Sequence, residues 1–152
     1  KIKMNPCWTL MLAFDAQIET GFDVWQQPSK DISWIAHNGT KLMRPNEKCC
    51  WVIHSSALWA QQKLGISKTL AVDELCNILP KSISKHINSN TFMQSHLWRF
   101  AFSSTILKKA YCSTKDYSLL AGGDWALGKK VEHAFVSGSR MANTIIKKHG
   151  NK

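Results

Sequence analysis

Cys7-Trp-Thr-Leu-Met-Leu-Ala-Phe14 is apolar at every position but Thr9. At period two, Trp8, Leu10, Leu12 and Phe14 fall on one face and Cys7, Thr9, Met11 and Ala13 on the other. A strand that is apolar on both faces belongs inside a sheet, with strands on either side of it. Pro6, just before the run, is tolerated at a strand's first position because it has no ladder hydrogen bond to lose there. The fold is therefore expected to be organised around a central strand near the N-terminus.

Working outward, Ile32-Ser-Trp-Ile-Ala-His-Asn38, ended by Gly39, and Cys49-Cys-Trp-Val-Ile-His54 read as two further strands, separated by a loop marked by Arg44-Pro45-Asn46. Between the first two strands, Asp15 to Lys30 carries turn signals at Gly21 and Pro28 and fits either a short strand or a surface loop. Helical signals follow. Ser55 or Ser56 can cap a helix from Ala57 to Leu64, with Gly65 as its stop. Val72, Leu75, Cys76 and Leu79 recur at i, i+3, i+4 and i+7, and Pro80 must end or kink that helix. Ile83 and Ile87 suggest another turn or two, closing at Asn88-Ser89-Asn90. From Phe92 to Phe102 period two returns, with Phe92, His96, Trp98, Phe100 and Phe102 on one face. Tyr117 to Ala121 reads as a short strand. In the last helix Val131, Ala134, Phe135, Gly138, Ala142 and Ile145 form a stripe, whose small members would let its backbone approach another layer. The expected class is α+β: a mixed, mostly antiparallel sheet with helices packed on one face.

The 152 residues suit one domain or one domain with an appendage, here 1–115 followed by 116–152. Apolar residues at 44% and charged residues at 20% argue against wholesale disorder. No apolar run is long enough to span a bilayer, and Lys1 to Phe14 lacks the cleavage site of a signal peptide. Five cysteines without a CxxC pair read as reduced thiols of a cytoplasmic protein rather than a disulfide framework. The six histidines show neither HExxH nor HxH spacing, so no metal site is expected.

The formal charge is +10. Residues 1–50 hold six basic and five acidic groups, residues 51–103 five and two, and residues 104–152 nine and three. The excess is concentrated at the C-terminal end, in the doublets Lys108-Lys109, Lys129-Lys130 and Lys147-Lys148. Such a balance suits an anionic cofactor or nucleic acid. Doublets at helix ends more often form a solvated face, so nucleic acid is not the first expectation, and neither is a membrane.

The stretch richest in chemistry is Leu119-Leu-Ala-Gly-Gly-Asp-Trp-Ala-Leu-Gly-Lys-Lys-Val-Glu-His-Ala-Phe-Val-Ser-Gly138. It runs from a strand through Gly122-Gly123-Asp124 and Gly128 into a helix starting near Val131. A helix N-terminus presents free N–H groups and positive potential, which suits an anionic ligand group. Glycines permit close approach of a ligand to the backbone, and a carboxylate such as Asp124 can accept hydrogen bonds from sugar hydroxyls. Spacing alone fits an ordinary strand–loop–helix equally well.

Gly123-Asp124-Trp125, then Gly128-x-x-Val131-Glu132-x-Ala134-Phe135-x-Ser137-Gly138, resembles the C-terminal flavin-binding motif of the renalase-like group of monoamine-oxidase-type flavoproteins. Pro6 to Phe14, Ile32 to Asn38, Trp51 to Ser56 with Trp59, and His96-Leu-Trp-Arg-Phe-Ala101 resemble segments of that group in the same order, over about residues 5–148. The resemblance implies an FAD-dependent oxidoreductase that passes hydride from a reduced nitrogen-containing substrate, an amine or a dihydropyridine nucleotide, to flavin and then to oxygen. It implies flavin contacts from Gly123, Asp124, Trp125, Lys130, Val131 and Glu132, and a substrate wall with Trp98, Arg99, His37 and Asn38. Where the family reads Lys-Pro-Gly-Arg, this chain reads Lys41-Leu-Met-Arg44-Pro45. The GxGxxG strand–turn–helix that grips the FAD pyrophosphate in such proteins is also absent from these residues. On that reading the nucleotide-binding segment belongs to a longer parent. The chain alone would bind FAD weakly or not at all and show no turnover, and bare apolar surface would favour a homo-oligomer. The alternatives are a basic nucleic-acid-binding or flavin-dependent DNA-repair protein, with tryptophans as stacking or electron-relay groups, and a non-catalytic interaction domain.

Overall fold

The computed structural model describes residues 2–44 and 48–150. The fold is α+β, with a mostly antiparallel five-stranded sheet. Its elements are β1 (Met4–Phe14), β2 (Val24–Gln26), β3 (Ile32–His37) and β4 (Cys49–Ser55), then α1 (Ala57–Gln62), α2 (Lys68–Asn77) and α3 (Lys81–Ser84). There follow β5 (Phe92–Ser103), β6 (Tyr111–Ser113), β7 (Leu120–Gly122), α4 (Asp124–Leu127) and α5 (Val131–His149). The Pro45-Asn46 turn expected before β4 lies outside the described residues.

The sheet runs in the order β2-β3-β4-β1-β5, so β1 is internal, as its two apolar faces require. Antiparallel pairing sets Leu10 opposite Ile53 and Leu12 opposite Trp51, while Ile35 meets Ile53 and His37 meets Trp51 on the other side of β4. Residues directly opposite share a face, so Trp8, Leu10, Leu12, Phe14, Ile35, Cys49, Trp51 and Ile53 form one apolar surface. The buried residues of α1 to α3, Trp59, Ala60, Ala71, Leu75 and Ile83, join the same cluster, which puts these helices over that face. The segment left open between strand and loop contains the three-residue β2, which pairs with β3 at the sheet edge.

Local chemistry starts α1, α2 and α3. The Ser56 side chain accepts from the Trp59 N–H at 3.2 Å and the Ser67 side chain from the Leu70 N–H at 3.1 Å, supplying acceptors to donors with no intrahelical partner. Pro80 follows the end of α2 and stands at the N-cap of α3, so one residue stops the first helix and opens the second. The Trp8 indole N–H donates to the Lys63 carbonyl at 3.0 Å, fastening the end of α1 to β1.

The chain forms two compact units, Pro6–Arg99 and a second made of the residues from Phe100 onward with those before Pro6. The division expected at 115/116 falls within the second unit, between β6 and β7. These strands pair with each other, Tyr111 opposite Gly122 and Ser113 opposite Leu120.

The stripe expected to bring α5 close to another layer is turned outward, and the aromatic face of β5 is largely open. On β5, Phe92, Trp98 and Phe100 are exposed, while Ser95 and Ser103 on the alternate face are buried. The Ser95 hydroxyl donates to the Lys68 carbonyl at 2.8 Å, and Leu97 packs on the core cluster, so hydrogen bonding and one leucine orient this part of the strand. On α5, Val131 is 84% and Phe135 75% exposed, and Ile145 and Ala142 are exposed as well. A side chain built on Gly138 would meet nothing within 4 Å, so the small-residue spacing produces no close approach there.

Leu10 is fully buried at the centre of the sheet, and Leu10→Ala should cost about 3 kcal/mol of unfolding free energy in urea titration. On β4, burial, followed by the Lys41 ammonium, holds the His54 imidazole below its ordinary value of 6.5. The unfolded chain then binds the proton more readily than the folded one. Stability should be full above about pH 6.5 and fall as pH drops below it. Urea midpoints at pH 7.5 and 5.0 should differ less in His54→Gln than in the unaltered chain.

Candidate functional site

In the second unit, β7 leads through Gly122 and Gly123 into α4, and Gly128 separates α4 from α5. Gly122 is required by contact: a side-chain carbon there would overlap the Ser137 hydroxyl and press on Met141. At Gly128 the same carbon would overlap the His133 ring. The two glycines let the turn and the first half of α5 close on each other.

Ser137 holds that closure. It is fully buried, donates its hydroxyl proton to the Ala110 carbonyl at 2.5 Å and accepts the Gly123 N–H at 2.9 Å. Further along α5, Thr144 meets the Tyr111 hydroxyl at 2.7 Å. The packed face of α5 therefore carries His133, Ser137, Met141 and Thr144. Of these, Ser137 satisfies backbone groups beside β6 and in the β7 turn, and Thr144 meets the Tyr111 side chain of β6, while the apolar stripe faces outward.

Asp124 opens α4 and accepts its neighbour's backbone N–H, from Trp125, at 2.8 Å. Gly128 N–H donates to the Asp124 carbonyl at 2.8 Å, and Leu107 N–H to the Trp125 carbonyl at 3.2 Å. Gly123, Asp124 and Trp125 are thus gathered at one half-buried turn. Lys130, Val131 and Glu132 begin the 19-residue α5, exposed, with no side-chain cap at Lys130. A helix about 28 Å long with an uncapped first turn offers N–H groups and positive potential to an anion. The N–H donors at the start of α5, flanked by Lys129 and Lys130 but sharing their turn with the Glu132 carboxylate, suit a negatively charged part of a flavin nucleotide, whereas the Asp124 carboxylate suits only its hydroxyl groups.

The four residues expected on the substrate side lie in the first unit, and the sheet holds them in two places. His37 ends β3 and Asn38 opens the following 3-10 turn, whereas Trp98 and Arg99 are on β5, with β4 and β1 between. Three strand spacings separate the pairs by roughly 14 Å. Trp98 and Arg99, being consecutive in a strand, also project to opposite faces. Trp98 is half exposed and meets His96 edge-to-face, with ring centroids 4.5 Å apart. His37 is stacked on Trp51, with ring centroids 4.7 Å apart and planes 5° from parallel.

Sequence reasoning passed over Ser137, Asp23 and Cys49 as individual residues. Ser137 is part of the flavin-motif resemblance, yet nothing in helical periodicity distinguishes a buried serine from a surface one. Asp23 gains its position only through the pairing of β2 with β3. Among the described residues no group of three or more His, Cys, Asp or Glu could hold a metal ion, and no helix is long and apolar enough to cross a membrane. No model of a known protein family matches the chain.

Ser137→Ala leaves the Gly123 N–H and the Ala110 carbonyl without a partner, at a cost of about 1–3 kcal/mol for the buried polar groups. Amide hydrogen exchange at Gly123 should accelerate in this variant, while that of Ile53 in the sheet stays unchanged.

Proposed function

We propose that this chain is the substrate-side and C-terminal flavin-contacting portion of an FAD-dependent oxidoreductase of the renalase-like, monoamine-oxidase type. The observation that carries the reading is the turn at Gly122-Gly123-Asp124 closed against α5, with the uncapped helix start at Lys130-Val131-Glu132 beside it in sequence. FAD supplies the hydride acceptor. The protein supplies position and electrostatics: the N-terminal dipole of α5 favours negative charge on the flavin, and the Asp124 carboxylate accepts from hydroxyl groups of the cofactor. The substrate class is a reduced nitrogen compound, an amine or a dihydropyridine nucleotide. The exposed apolar faces of α5 and β5 support a parent in which a nucleotide-binding segment covers them, and a homo-oligomer would cover them in the isolated chain. A cytoplasmic setting agrees with five free thiols.

A second reading draws on the same exposed aromatics. Phe92 and Trp98, exposed on one face of β5 in a chain of charge +10, could stack the bases of a single-stranded nucleic acid.

Titration with FAD, followed by flavin fluorescence, separates the two. On the flavoprotein reading, quenching saturates weakly and Asp124→Ala weakens it about tenfold, the loss of one charge-assisted hydrogen bond. An oligonucleotide bound instead, with affinity falling steeply as salt rises and FAD without effect up to millimolar concentration, would replace that reading with the second.

A further inference from the structure

A different set of side chains meets at the end of β3, away from the glycine turn. The His37 Nδ1 lies 3.5 Å from Asp23 Oδ1, and its Nε2 lies 3.5 Å from the Cys49 sulfur. The sulfur also accepts the Trp51 indole N–H at 3.2 Å, and Trp51 stacks on the His37 ring. The His37 backbone N–H donates to the Asp23 carbonyl at 2.7 Å, so the acid is held to the histidine through the main chain as well. A carboxylate, an imidazole and a thiol thus stand in series, in the order used wherever a base activates a nucleophile and a third group orients the base.

The acid and the base of this series face a cleft, which the thiol itself does not line. His37 and Asp23 line a cleft of about 400 Å³, together with Glu19 and Phe22. Gly39 leaves room for the imidazole: a side-chain carbon there would come within 3.2 Å of His37 Nε2. Cys49 itself is 1% exposed. It is the first residue of β4, paired with Phe14, the last of β1. Access of an oxidant to the sulfur therefore requires local opening at that terminal rung, and strand ends are where such low-cost opening concentrates.

We propose that Asp23, His37 and Cys49 form a thiol-oxidation centre, at which Cys49 reduces a small hydroperoxide. With its proton on Nδ1, toward Asp23, His37 turns the lone pair of Nε2 to the thiol. As the sulfur attacks one peroxide oxygen, the thiol proton passes to Nε2 and the O–O bond breaks. The departing hydroxide, or alkoxide from an organic hydroperoxide, takes that proton and leaves as water or an alcohol. Cys49 has then lost two electrons and is a sulfenic acid, and the peroxide has gained them. The Trp51 N–H stabilises negative charge on the sulfur while the proton is away.

The test uses the reduced chain, hydrogen peroxide as oxidant, dimedone to trap the sulfenic acid, and fragment-level mass spectrometry to separate Cys49 from Cys50. Cys49 should be trapped about tenfold faster than the exposed Cys112, whose sulfur donates to the Ala121 carbonyl at 3.4 Å. Toward a bulky aromatic disulfide reagent the order should reverse. His37→Gln should slow trapping at Cys49 about a hundredfold, and Asp23→Asn should slow it several-fold, with Cys112 unchanged as the internal reference. Asp23 is two-thirds exposed, so its replacement keeps the fold and decides the matter if His37→Gln does not fold. Trapping at Cys49 no faster than at Cys112, or an unchanged rate in Asp23→Asn, overturns the proposal.

Discussion

The antiparallel pairing of β1 with β4 is the contact on which the larger unit depends. Six consecutive rungs, from Thr9 opposite His54 to Phe14 opposite Cys49, place the largest apolar side chains of both strands on one surface. A slip of one residue would turn Leu10, Leu12, Trp51 and Ile53 away from the helices, so the register is specified by everything that packs there. Ser55, the last residue of β4, contributes from the polar side. Its buried hydroxyl accepts the Trp8 N–H at 3.0 Å where the ladder ends. From this pair the order of neighbours follows, with β3 and β2 beyond β4, and β5 beyond β1.

Both chemically loaded regions arise where regular structure stops. The glycine turn stands between β7 and α5, and its shape depends on Ser137 bonding two backbone groups at once. The Asp23–His37–Cys49 series stands where β2, β3 and β4 begin or end. There the side chains are held by strand pairing, but ladder bonds no longer enclose them on every side. Loops and strand ends positioned by a rigid sheet are where functional groups concentrate.

The outward-turned faces of β5 and α5 share one physical cause. In each, a serine with a backbone partner, Ser95 or Ser137, is buried while larger apolar side chains remain outside. An unpaired buried polar group costs about as much as burying a modest apolar side chain yields. Backbone groups that need a partner can therefore decide which way an element faces. Exposed Phe135, Phe100 and Trp98 leave apolar area in water, which is the feature that most favours a covering partner.

The central strand, its two neighbours, the Ser56 cap and the Pro80 break were all legible in the sequence because each depends on local chemistry: alternation, capping and a missing N–H. The helix starting near Val131 and the glycine turn before it were legible for the same reason, whereas the short α4 between them was not. The orientation of β5 and α5 was not, because period two and period 3.6 identify an apolar stripe without saying whether anything covers it. Nor could spacing bring Asp23 to His37, or His37 to Cys49. Residues 14 and 12 positions apart meet only through the pairing of β2, β3 and β4. Sequence alone determined the main strands and helices, since those preferences reside in the residues themselves. It did not determine β6 or α4, and it set the strand of Tyr117–Ala121 too early, since β7 begins only at Leu120. Tertiary structure decided which faces are buried and which side chains meet, since both depend on hydrogen-bond partners that come from distant parts of the chain.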